Sequence, residues 1–118
     1  MSMTADSPLR TRLRSALLEA RRARDAVTTS TVRTVLAALE NAEAVPMDSV
    51  PAAGAIEDSA RGVGGSDAPR RVLSDAEELQ ILDAEIVSLD EAVAAYDVVA
   101  PERAEAARAG IALLAALR

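Results

Sequence analysis

Across 118 residues the chain carries one aromatic side chain, Tyr96, and neither Phe nor Trp. A core without rings must be filled by aliphatic side chains, and here those are mainly Ala, Leu and Val. Ala and Leu are strong helix formers, whereas sandwiches and barrels draw on aromatic and β-branched residues. The expected class is therefore all-α, held by aliphatic helix-on-helix packing. The length allows one domain with one modest core.

Four helices are expected: Pro8–Arg24, Ser30–Ala44, Asp75–Tyr96 and Pro101–Leu117. Ser7 suits an N-cap and Pro8 a first helical position. Leu9, Leu13, Ala16, Leu17 and Ala20 then recur at helical spacing. Thr28, Thr29 and Ser30 are poor mid-helix residues, so a turn is expected over Asp25 to Thr29. Val32, Val35, Leu36 and Leu39 form the inner face of the second helix, which Val45-Pro46 should end. Residues 46–72 hold three of the five prolines and four of the five glycines. They read as a long flexible connection, with a helical turn possible over Ala55 to Arg61. Ser74 and Glu77 have capping-box spacing. Leu79, Leu82, Ile86, Leu89, Val93 and Tyr96 follow at steps of three and four, an a/d seam. Ala104, Ala107, Ile111 and Leu114 repeat that spacing, and the short link at Asp97–Ala100 makes the last two helices an antiparallel hairpin. Tyr96 is expected against the contact between them. The layout is one domain over 1–118: two basic helices (8–45), the connection (46–72) and an acidic hairpin (73–118).

Missing residue types narrow the chemistry. There is no Cys, His or Lys, and all thirteen basic residues are Arg. Thiol, imidazole and lysine nucleophiles are excluded, as are His-ligated metals. No metal or other cofactor is expected, and no catalytic residue is assigned. The acids Glu40, Glu43, Asp83 and Glu85 stand as candidates for acid–base work or a hard cation, against the commoner role of solvated helix face. No apolar run reaches the ~20 residues of a membrane span. The first residues do not resemble a signal peptide. With no Cys, a cytoplasmic location is expected.

The net charge of −6 is unevenly spread. Residues 1–45 carry seven Arg against five acids, a balance of +2, while the remainder carries −8. Arg10, Arg14 and Arg21 fall together beside the first apolar stripe. Two readings are open: their stems cover the core edge while the heads reach water, or they contact phosphate together with Arg24 and Arg33. Arg33, Asn41 and Glu43 are open to two readings also. Either they face a partner, or Arg33 pairs with an acid of the third helix while Asn41 and Glu43 close the second.

The run Ala23-Arg24-Asp25, Ser30-Thr31-Val32-Arg33, and Asn41-Ala42-Glu43 resembles the signature helix of the GatB/YqeY-like family. Leu73-Ser74-Asp75-Ala76-Glu77 resembles that family's Leu-Thr-Asp-Glu-Glu helix start. Glu85-Ile86, Ala94-Ala95-Tyr96 and Pro101 to Leu117 fall where the family has a long helix and its Ala/Glu-rich successor. The resemblance departs at Ser88-Leu89-Asp90-Glu91, where the family carries basic residues. It stops at Leu117-Arg118, where the family continues into a small C-terminal helical subdomain. That family includes free-standing bacterial proteins and the tail region of the tRNA-dependent amidotransferase B subunit. The resemblance implies a non-catalytic accessory helical module that contacts tRNA or the amidotransferase. The composition alone serves a protein–protein interaction domain with no RNA role equally well.

Overall fold

A computed structural model describes residues 6–44 and 71–118. Among these residues there are four helices and no strand: α1 (Pro8–Ala23), α2 (Ala26–Ala44), α3 (Asp75–Tyr96) and α4 (Pro101–Leu117). The all-α expectation holds. Except for Arg71 and Val72, the expected connection over 46–72, its helical turn included, lies outside the described residues, as does the Val45-Pro46 stop.

Local chemistry sets each helix start. The Ser7 side chain accepts a hydrogen bond from the Arg10 backbone N–H at 3.1 Å, with Pro8 in the first turn. At α3 the expected capping box is present. Ser74 Oγ accepts from Glu77 N at 3.1 Å, and Ser74 N donates to Glu77 Oε1 at 2.9 Å.

The start of α2 differs from expectation. The helix begins at Ala26, four residues before Ser30, so Thr28 and Thr29 lie inside it. Asp25 is the reason. Its carboxylate accepts from Thr28 N at 3.1 Å and from Thr28 Oγ1 at 2.8 Å, so the hydroxyl that reads as a helix breaker completes an N-cap. One residue earlier, Arg24 takes left-handed geometry, φ 58° and ψ 37°. Asp25 N then reaches Ala20 O at 2.8 Å and Arg24 N reaches Arg21 O at 3.2 Å. This Schellman closure ends α1 at Ala23 and turns the chain into α2 within two residues.

The core lies where all four helices meet. Leu13, Leu39, Leu82, Leu114, Val32 and Val35 are fully buried, with Leu9 and Leu36 beside them. Each buried aliphatic side chain contributes about 1.5–3 kcal/mol of apolar transfer. The α3–α4 seam follows the expected positions: Leu82, Ala104, Ala107 and Leu114 are buried, and Leu79, Ile86 and Leu89 pack around the core. Tyr96 is half-buried at this contact, with the Arg103 guanidinium 5.4 Å from its ring centre. Gly110 is the close-approach point. A Cβ there would stand 3.1 Å from both Leu89 Cδ1 and Thr31 Oγ1. Arg118 grips Asp83 with two hydrogen bonds, at 2.7 and 2.9 Å, and fastens the end of α4 to α3.

Candidate partner-binding surface

Arg10 sits in the first turn of α1 with its side chain 11% exposed. Its Nη2 donates to Glu43 Oε2 at 2.6 Å and its Nε to Glu78 Oε2 at 3.0 Å. One guanidinium thus ties α1 to the last turn of α2 and the first of α3. Burial works against its charge, but the hydrogen bonds to Glu43 and Glu78 outweigh that, and its pKa ends above the ordinary arginine value. Arg71 N donates to Glu43 O at 3.0 Å, so the chain re-enters α3 beside the same cluster. Arg10, Glu43 and Glu78, with Asp6, Ser7, Val72 and Leu73, line a cavity of about 350 Å³. Glu78 is 4% exposed, and its Oε1 has no hydrogen-bond partner among the described residues.

The remaining candidates separate. Arg14 pairs with Asp6 at 2.6 Å on the surface. Arg21, Arg24 and Arg33 are exposed and have no carboxylate partner among the described residues. The pairing of Arg33 with an acid of the third helix is therefore not found there, and Asn41 is exposed at the far end of α2. Arg10, Arg14 and Arg21 share a side of α1, yet two of the three are occupied by acids. Glu43 and Asp83 are each taken by an arginine, Glu40 is exposed, and burial raises the pKa of half-buried Glu85. Among the described residues no group of three or more acids is arranged to hold a metal ion. No helix there is long and apolar enough to cross a membrane.

Sorting the arginines by partner leaves a clear residue. Arg71 pairs with Glu77, Arg108 with Asp97 and Glu105, and Arg118 with Asp83. Arg12 donates to the Leu117 carbonyl, and Arg103 lies over Tyr96. Arg21, Arg22, Arg24 and Arg33 alone among the described arginines lack an acceptor or ring among the described residues. Arg21, Arg22 and Arg24 lie at the α1–α2 corner, and Arg33 lies two turns into α2. Asp25, the acid next to Arg24, is already engaged by Thr28, which holds its pKa below the usual carboxylate range. Sequence reasoning missed Arg22 in this set and Glu78 in the Arg10 cluster. Glu78 was legible in principle: it lies four residues before Leu82, hence on the same helix face, and a carboxylate on a buried face needs a cation.

No protein-family model, curated protein or solved structure matches this chain.

Proposed function

We propose that this chain is a non-catalytic accessory module that presents the α1–α2 corner to an anionic partner, with tRNA as the partner that the GatB/YqeY-like resemblance suggests. One observation carries the reading. Among the described residues, three of the four arginines without an internal partner sit at the α1–α2 corner with Arg33 two turns along α2, while the other described arginines are engaged within the fold. A chain of net charge −6 repels polyanions as a whole. A local basic corner is then the place where phosphate oxygens would be tolerated, and guanidinium groups match them in bidentate geometry. Arg21, Arg22, Arg24 and Arg33 make the contacts. Arg10 acts inside the fold.

Gel retardation of unmodified tRNA at low salt tests this. Wild-type affinity should lie in the non-specific range, about 10⁻⁴ to 10⁻⁶ M at physiological salt. Changing Arg21, Arg22, Arg24 and Arg33 together to Gln should leave the circular dichroism unchanged. It should also make the slope of log K against log salt shallower by about 3 to 4. Arg14→Gln is the control and should change the slope by less than one contact. Absence of retardation by the wild type, or equal loss in the control, would remove RNA from the reading. The chain would then stand as an accessory module for a protein such as the amidotransferase, or as an interaction domain without an RNA role.

A further inference from the structure

Two shallow depressions adjoin along α2, one where it meets α3 and α4 and the other along its outer side. The first, about 390 Å³, has Leu89, Ala92, Ala106 and Ala107 in its lining, with Val27 from α2 and Arg103 from α4. The second runs along α2 past Thr34 and Ala37 and is lined also by Arg33. Ala26 and Ser30 line both, so the two form one groove. Among the described residues its lining is apolar or small, apart from two arginines, and contains no Asp or Glu. Three other depressions on the molecule each include at least one acid: Glu43 and Glu78, Asp75, and Glu19 with Asp25. On a chain with nineteen acids against thirteen arginines, an acid-free groove with arginines in its lining is a local reversal of charge. Arg103 is also pre-positioned, since its guanidinium rests over the Tyr96 ring at 5.4 Å.

We propose that this groove docks an amphipathic helix of a partner protein, with small apolar residues on its inner face and carboxylates on its flanks. The Ala and Ser lining lets a helix backbone approach closely, and Leu89 with the 38%-exposed Val27 supplies apolar contact. Arg33 and Arg103 select for acid on the partner's flanks, because charge complementarity sets partner choice more than raw affinity does. This inference stands apart from the tRNA reading. It uses a different face, sharing only Arg33.

The test uses two fluorescent 20-residue helical peptides with identical Ala/Leu faces, one carrying Glu on its flanks and the other Lys. Overall charge favours the Lys peptide, since the protein is net negative. The groove favours the Glu peptide, and any share taken by the arginines of the α1–α2 corner is removed in the Arg21→Gln, Arg22→Gln variant below. Fluorescence anisotropy with the whole chain should show the Glu peptide binding more tightly. Val27→Glu puts a carboxylate at the groove edge, in the first turn of α2 where the helix dipole favours it, so the variant should fold. It should weaken the Glu peptide about tenfold by like-charge opposition. Ser30→Trp should fill the shared floor and remove binding. Preference for the Lys peptide, or indifference to Val27→Glu, overturns the proposal. So does concentration-dependent self-association abolished by Val27→Glu, which would make the occupant a second copy. Arg21→Gln with Arg22→Gln should reduce tRNA retardation and leave the peptide unaffected, so the two readings fail separately.

Discussion

Arg10 Nη2 lies 2.6 Å from Glu43 Oε2, and this contact joins the first turn of α1 to the last turn of α2. Glu78 shares the same guanidinium at 3.0 Å with its own side chain 5% exposed. Removing the cation leaves a nearly buried carboxylate uncompensated, a situation that costs about 3–5 kcal/mol in buried pairs. Arg10→Met should therefore lower stability by about 3 kcal/mol, read as the midpoint of urea unfolding. Adding Glu78→Gln to Arg10→Met should restore part of the loss, because the stranded charge is gone. A single variant as stable as wild type would show that the cluster is not held as described.

Gly110 is a second structural constraint. A glycine inside a helix costs about 1 kcal/mol relative to Ala, so its presence in α4 asks for a packing reason. That reason is the 3.1 Å approach of Leu89 Cδ1 and Thr31 Oγ1 to where a Cβ would stand. Gly110→Val adds branched bulk at that point and should destabilise by about 1–3 kcal/mol through overpacking. Thermal melting of the variant checks this, and an unchanged midpoint would mean that α4 is free to shift away.

Spacing made the fold legible and left the site obscure. The inward residues of every helix follow from three-four recurrence, because burial of one aliphatic stripe per helix is the dominant force in a core without rings. The start of α2 did not follow, since Thr28 reads as a breaker until Asp25 is seen to bond it. The two readings of the arginines stayed open for a related reason. Helical angle puts Arg10, Arg14 and Arg21 on one side, but whether an arginine is spent or free depends on acids distant in sequence, such as Glu78. The groove was not legible at all, being assembled from small residues on three helices.

Acid should weaken the fold, with a sign that follows from the individual carboxyls. Asp25 has a lowered pKa, chiefly through the Thr28 backbone N–H, Glu77 chiefly through the Ser74 backbone N–H, and Asp83 through hydrogen bonds from Arg118. A depressed folded-state pKa gives stability that is present above the ordinary carboxyl value of about 4 and is lost as pH falls through the folded value. Glu85 runs oppositely: burial raises its pKa, so its effect is a loss of stability as pH rises through that shifted range. Three groups oppose one, so the melting temperature should drop between about pH 5 and pH 3. Asp83→Asn should flatten that decline, and Glu85→Gln should raise the melting temperature more at neutral pH than at about pH 4. A wild-type melting temperature that rises on acidification would contradict these assignments.

Arg24 joins the fold to the proposed function. Among the described residues it is the one non-glycine residue with positive φ, and its side chain has no partner there. Gly fits left-handed geometry without the Cβ penalty, so Arg24→Gly should relieve strain. Against that stand the greater freedom glycine gives the unfolded chain and the loss of a positive charge at the α1 C-terminus. The balance should favour the variant by about 0.5 kcal/mol, a small rise in melting temperature. If the corner contacts phosphate, the same variant should bind tRNA more weakly at low salt and shorten the salt slope by about one contact. A fold made steadier and a partner held less well would identify Arg24 as kept for its contacts. A variant that loses stability and leaves tRNA retardation unchanged would instead make Arg24 part of the corner's own structure.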